Sequence, residues 1–141
     1  MFKKPRRAID RVFIHCSAAS RKDIDAEEID LWHRQRGWSG IGYHFFIKTD
    51  GTLEKGRDLE KTPAAQAGHN RGTIAICLNG LKLSDFTSAQ FKTLNELCSE
   101  INREYSGDIT FWPHNAVARK ACPVFDIYKE LPINPKTRKM L

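Results

Sequence analysis

Thr73-Ile-Ala-Ile-Cys-Leu78 is an almost unbroken apolar run rich in β-branched side chains. A strand apolar on both faces belongs at the centre of a sheet with helices packed on each side. Its surroundings repeat the theme. Residues 11–16, Arg-Val-Phe-Ile-His-Cys, read as a second short strand. Residues 43–48, Tyr-His-Phe-Phe-Ile-Lys, read as a third. Thr49-Asp-Gly-Thr52 follows as a hairpin turn, because Asp-Gly accepts the positive φ that tight hairpins need, and Leu53 to Arg57 return antiparallel. Residues 58–72 carry Ala, Gly and polar residues without periodicity and read as a loop. Residues 109–112 supply a last strand.

Helices fall between these strands. Asp25-Ala-Glu-Glu28 is a capping box that opens a helix running to about Arg36, with Ile29 and Trp32 facing inward and Gly37 as the stop. Thr87-Ser-Ala-Gln90 opens the clearest helix, where Phe91, Leu94, Leu97, Cys98, Ile101 and Tyr105 recur at three- and four-residue spacing. A loop from His114 to Pro123 leads to a short helix near Phe125–Leu131. The expected fold class is α/β, a single domain with a central mixed β-sheet flanked by helices.

A length of 141 residues suits one domain that buries its core without disulfides. No apolar run approaches the roughly 20 residues of a membrane span. Met1-Phe-Lys-Lys-Pro-Arg-Arg7 resembles the head of a signal peptide, but Asp10 and Arg11 interrupt the apolar stretch that should follow, so cytoplasmic synthesis without a signal peptide is expected. The net charge of +6 resides at the ends, with +4 from Lys3, Lys4, Arg6 and Arg7 and +3 from Lys136, Arg138 and Lys139. The body between is nearly neutral. Residues 1–7 and 133–141 therefore read as solvated basic tails around a domain spanning 8–132, and no specific nucleic-acid partner is expected. Cys16, Cys77, Cys98 and Cys122 form no C-x-x-C pair, which argues against a zinc finger. The first three read as core thiols.

His15 ends an apolar strand where the chain enters a polar loop, and α/β proteins place functional side chains at strand ends. Taken alone, a structural or solvated histidine is the commoner reading. His114 and Cys122 flank a seven-residue loop after the last strand. Imidazole and thiolate are favoured zinc ligands, and three protein ligands leave the fourth tetrahedral position open, as in catalytic zinc sites. A buried thiol and a loop histidine bonded to backbone fit the same spacing.

Several blocks in order carry a family resemblance: Val12-Phe-Ile-His-Cys-Ser-Ala18, Trp32-His33 with Gly37-Trp38, Gly42-Tyr-His-Phe45 with Asp50-Gly51, Gly68-His-Asn70, Ile74-Ala-Ile-Cys-Leu78, Phe86-Thr-Ser-Ala-Gln90, His114, and Lys120-Ala-Cys-Pro123 with Phe125-Asp126. Over about residues 9–131 the chain resembles the zinc-dependent N-acetylmuramoyl-L-alanine amidases, which include phage lysis enzymes and animal peptidoglycan-recognition proteins. The resemblance implies one zinc ion per chain on His15, His114 and Cys122, with Tyr43 and Lys120 catalytic. It implies hydrolysis of the amide between the lactyl group of N-acetylmuramic acid and L-alanine in bacterial peptidoglycan, by an enzyme that acts on the cell wall after release.

Lys120 is then expected to stabilise an oxyanion, and Tyr43 to orient water or donate a proton. His69 and Asn70 are expected to touch substrate. Trp38 and Trp112 are candidates for stacking on a sugar, against the commoner core role for tryptophan. His33 reads as structural, and His44 as structural support behind the site. Gln66 stands where many relatives carry a histidine, in a loop one residue shorter. The alternatives are a non-catalytic peptidoglycan-binding module, which the presence of Cys122 disfavours, and a lysis protein with a phage RNA polymerase as a candidate second partner.

Overall fold

The computed structural model describes residues 2–141. Five strands form one sheet in the order β3-β2-β4-β1-β5, where β1 is Arg11–Cys16, β2 Phe45–Ile47, β3 Leu53–Lys55, β4 Thr73–Leu78 and β5 Thr110–Pro113. β4 is central, as its unbroken apolarity predicts. It pairs in parallel with β1 and β2, and β1 pairs in parallel with β5. Only β3 is antiparallel, closing the Asp-Gly hairpin against β2.

Side chains alternate along each strand, so the sheet has two buried faces. Val12, Ile14, Phe45, Ile47, Ile74, Ile76 and Leu78 share one core with Leu94, Leu97, Cys98 and Ile101 of α2, Ser88–Glu104. Each of these fully buried Leu and Ile side chains contributes about 1.5–3 kcal/mol of transfer free energy. Phe46 and Cys77 face the other way, toward Ile29 of α1, Ala26–Gln35. A four-residue α3, Ile127–Glu130, follows the last loop.

Both helix starts are capped, but only the second forms the full box its sequence predicts, because the Glu28 carboxylate pairs with Arg21 instead of reaching back to Asp25. Asp25 accepts from Glu28 N, and Thr87 and Gln90 form a reciprocal box. Gln90 is also buried, and its amide donates to Asn79 O at 2.9 Å and Ile47 O at 3.3 Å. The cap thus ties α2 to the ends of β4 and β2.

The basic ends are not solvated tails. Phe2 is buried against Phe45 and Tyr105, and Lys4 lies over the Tyr105 ring. Arg7 donates to Leu59 O and Thr73 O at 2.6 and 2.8 Å. At the other end, buried Ile133 bridges Met140, Phe111 N donates to Arg138 O at 2.8 Å, and the Arg138 guanidinium stacks 3.9 Å above Trp112. Apolar residues interleaved with the cations, Phe2 and Ile133 foremost, anchor both segments to the body.

Candidate metal centre and active site

His15 is the next-to-last residue of β1. Alternation turns it to the α1 side of the sheet, away from the larger core. Because β5 runs parallel beside β1, its end delivers His114 to the same place, and the two imidazole centroids lie 4.5 Å apart. The loop after His114 closes through Asn115 N donating to Cys122 O at 2.7 Å. That closure brings Cys122 back over β1. Its Sγ accepts from Cys16 N at 3.2 Å and lies 3.8 Å from His15 Nδ1.

One donor atom from each of His15, His114 and Cys122 falls within 4.8 Å of the others. With zinc bonds of about 2.0–2.3 Å at tetrahedral angles, ligand atoms sit about 3.3–3.6 Å apart, so a small contraction completes the set. His114 Nδ1 is buried and has no hydrogen-bond partner among the described residues. Such an orphan is costly unless something absent from the polypeptide occupies the space before it.

The protonation states agree with a cation site. Burial, reinforced by His114 and Lys120, pulls His15 down to about 3, despite the opposing hydrogen bond to Gln66. Burial and Lys120 also lower His114. Both rings are therefore neutral, as a ligand must be. The Cys122 thiol is pushed up by its contact with Cys16 and by burial, so it holds its proton until a cation displaces it.

A cleft of about 420 Å³ opens over this centre, lined by Tyr43, His33, Trp38, Arg36 and Lys120 among others. Tyr43 sits just before β2, its ring 5.2 Å from that of His15. Burial, with Cys77 and Cys122 nearby, holds its hydroxyl well above the ordinary tyrosine range, so it stays protonated at neutral pH. His33 of α1 accepts from Gly42 N at 2.9 Å and packs edge-on against Trp38.

Other expectations shift. Neither His69 nor Asn70 is among the residues lining the cleft. Asn70 Oδ1 instead accepts from Ala65 N and Gln66 N, bracing its own loop. Trp112 is covered by Arg138 and packs on Phe13, away from the cleft, whereas Trp38 lines it and is 42% exposed. His44 spends both ring nitrogens on backbone, accepting from Ala75 N and donating to Lys61 O, and touches no metal-site residue. Gln66, an apparent departure in the sequence, is fully buried beside His15. No local pattern announces that position.

A family model described as N-acetylmuramoyl-L-alanine amidase matches residues 5–125. The chain belongs to this family. It is 38% identical over 131 residues to the endolysin of Escherichia phage T7, covering 88% of this chain and 86% of that protein. It is 37% identical over 129 residues to the endolysin of Klebsiella phage KP32, covering 86% and 85%. Among solved structures, the amidase LysC from Clostridium intestinale URNW superposes with a TM-score of 0.78 at 29% identity, covering 88% of this chain and 83% of that one. Drosophila PGRP-LB shares the fold, with a TM-score of 0.71 at 22% identity over 86% and 78% of the two chains. As an amidase of this family, the chain cleaves the amide between N-acetylmuramic acid and L-alanine in peptidoglycan.

Proposed function

We propose that this amidase is zinc-dependent, that His15, His114 and Cys122 hold the ion, and that the enzyme serves as a phage-type endolysin acting on the bacterial wall. The observation that carries the reading is the convergence of one donor atom each from His15, His114 and Cys122 within 4.8 Å. When bound, zinc supplies Lewis acidity, polarising a carbonyl and acidifying water.

The chain's own residues do the rest. The Lys120 ammonium is close enough to disfavour protonation of both His15 and His114. It therefore stands where it can stabilise negative charge developing on the scissile carbonyl oxygen. Tyr43, held protonated by burial, donates its hydroxyl hydrogen to that oxygen or to the departing nitrogen. Both residues line the cleft above the ligands. His33 and Trp38 wall the same cleft and orient the substrate beside Tyr43.

The test combines metal analysis with digestion of purified walls. One equivalent of zinc should accompany the protein. A chelator should stop wall clearing, and zinc should restore it. Mass spectrometry should find free stem peptides beginning at L-alanine and intact glycan strands. Clearing that is indifferent to chelation, or cut glycan, would overturn the reading.

A further inference from the structure

Gln66 has no role in the chemistry above, yet its side chain is enclosed beside a proposed ligand. Its Oε1 lies 2.9 Å from His15 Nε2. The orientation of the amide follows from its other partners. The Gln66 nitrogen is 3.2 Å from His69 O, a carbonyl that can only accept. It is also 2.8 Å from Thr73 Oγ1, whose own hydrogen is committed to Asn70 O at 2.7 Å. Both contacts require the NH₂ group at that end. The end facing His15 is then the carbonyl oxygen, which can only accept. His15 must therefore carry hydrogen on Nε2.

A neutral imidazole holds one ring hydrogen, so its lone pair lies on Nδ1. That atom faces Cys122 Sγ at 3.8 Å. The amide is itself immobile. Asn70 Oδ1 pins the Gln66 backbone, and Thr73 begins β4 in register with Arg11 at the start of β1, the strand that carries His15.

We propose that Gln66 is a positioning residue of the metal centre: its side-chain carbonyl accepts Nε2–H of His15 and holds the ring in the tautomer that offers Nδ1 to the cation. The inference rests on the zinc-centre reading for its consequence, but not for the tautomer. Partners of this kind to metal-ligating histidines typically change metal affinity by about 10–100-fold when removed. Here a neutral amide fills the place, and its direction is set by two acceptors on its far side. Asn70 and Thr73 belong to the same device, which gives Asn70 a purpose other than substrate contact.

The experiment uses the full chain. Long-range ¹H–¹⁵N correlation of the metal-free protein reads the His15 tautomer directly, and competition against a chromophoric chelator reads zinc affinity. The unsubstituted protein should show hydrogen on Nε2. Gln66→Met keeps the side-chain length and removes both acceptor and donors. It should give a mixed His15 tautomer and bind zinc about 10–100-fold more weakly. Thr73→Val frees the far side of the amide and should shift the tautomer in the same direction, by less. A purely structural role would lower thermal stability in these variants without moving the tautomer.

Hydrogen on Nδ1 in the unsubstituted protein would overturn the proposal, whatever the variants do. So would a Gln66→Met protein whose tautomer or zinc affinity matches the unsubstituted one. If the unsubstituted protein binds no zinc, the metal-centre reading falls, while the tautomer still decides the role of Gln66.

Discussion

Replacing Cys122 with serine separates metal binding from folding. The folded body has its own cores on both faces of the sheet, so the metal-free chain should melt cooperatively. For 141 residues at about 2.1 cal/mol/K each, the unfolding entropy near the midpoint is about 0.3 kcal/mol/K. Zinc held at a hundred times its Kd stabilises the native state by about 2.7 kcal/mol. The melting temperature should therefore rise by about 9 °C on adding zinc.

In Cys122→Ser the thiolate ligand is gone. If affinity falls about a hundredfold, the same zinc concentration contributes only about 0.4 kcal/mol, or about 1 °C. Without metal, the chief loss in the variant is the Cys16 N to Cys122 Sγ hydrogen bond of 3.2 Å, beside a longer Cys122 Sγ to Cys16 O contact of 3.7 Å. That costs about 0.5–1.5 kcal/mol, or about 2–5 °C. Scanning calorimetry with and without zinc reads both quantities. A serine variant with an undiminished zinc shift would refute Cys122 as a ligand.

Lys120→Ala should lower kcat on purified walls by about 10²–10³-fold, the usual loss for one oxyanion donor, while zinc affinity changes little. Loss of zinc instead would show that Lys120 supports the centre and not the reaction. Acid should destabilise the metal-free protein. Burial lowers His44 to about 4, below its ordinary 6.5, so the unfolded chain takes up the proton first. Stability is then full above about pH 6.5 and declines as pH falls toward 4, by up to about 3 kcal/mol from this residue. His15 adds a loss of the same sign. Urea unfolding between pH 7 and 4.5 should show a smaller decline in His44→Gln, and an equal decline would argue against burial of a neutral His44.

Much of the fold was legible because its signals are local. The unbroken apolarity of 73–78 placed β4 at the centre, and the Thr87–Gln90 box marked the start of α2 to the residue. The three candidate ligands were legible through the family resemblance of the blocks around His15, His114 and Cys122, since their spacing alone fits a buried thiol and structural histidines equally well. What escaped the sequence depends on contacts distant along the chain. Gln66 meets His15 across 51 positions, and nothing in its neighbours distinguishes it from a surface loop residue. Asn70 in a Gly-His-Asn loop looks like a substrate contact, yet its carbonyl oxygen turns inward to two backbone amides. Charge counting treated the termini as tails because it ignored Phe2 and Ile133, whose burial outweighs the solvation of their basic neighbours.

The packing of residues 133–140 bears on how this enzyme can be engineered. The segment shields the outer margin of β5 through the Phe111–Arg138 bond, and Leu141 projects outward at 88% exposure. A targeting module grafted after Leu141 leaves that shield in place. Trimming the chain at 132 to make a minimal catalytic cassette would strip the cover from Trp112 and bare an unpaired strand, inviting edge-to-edge self-association.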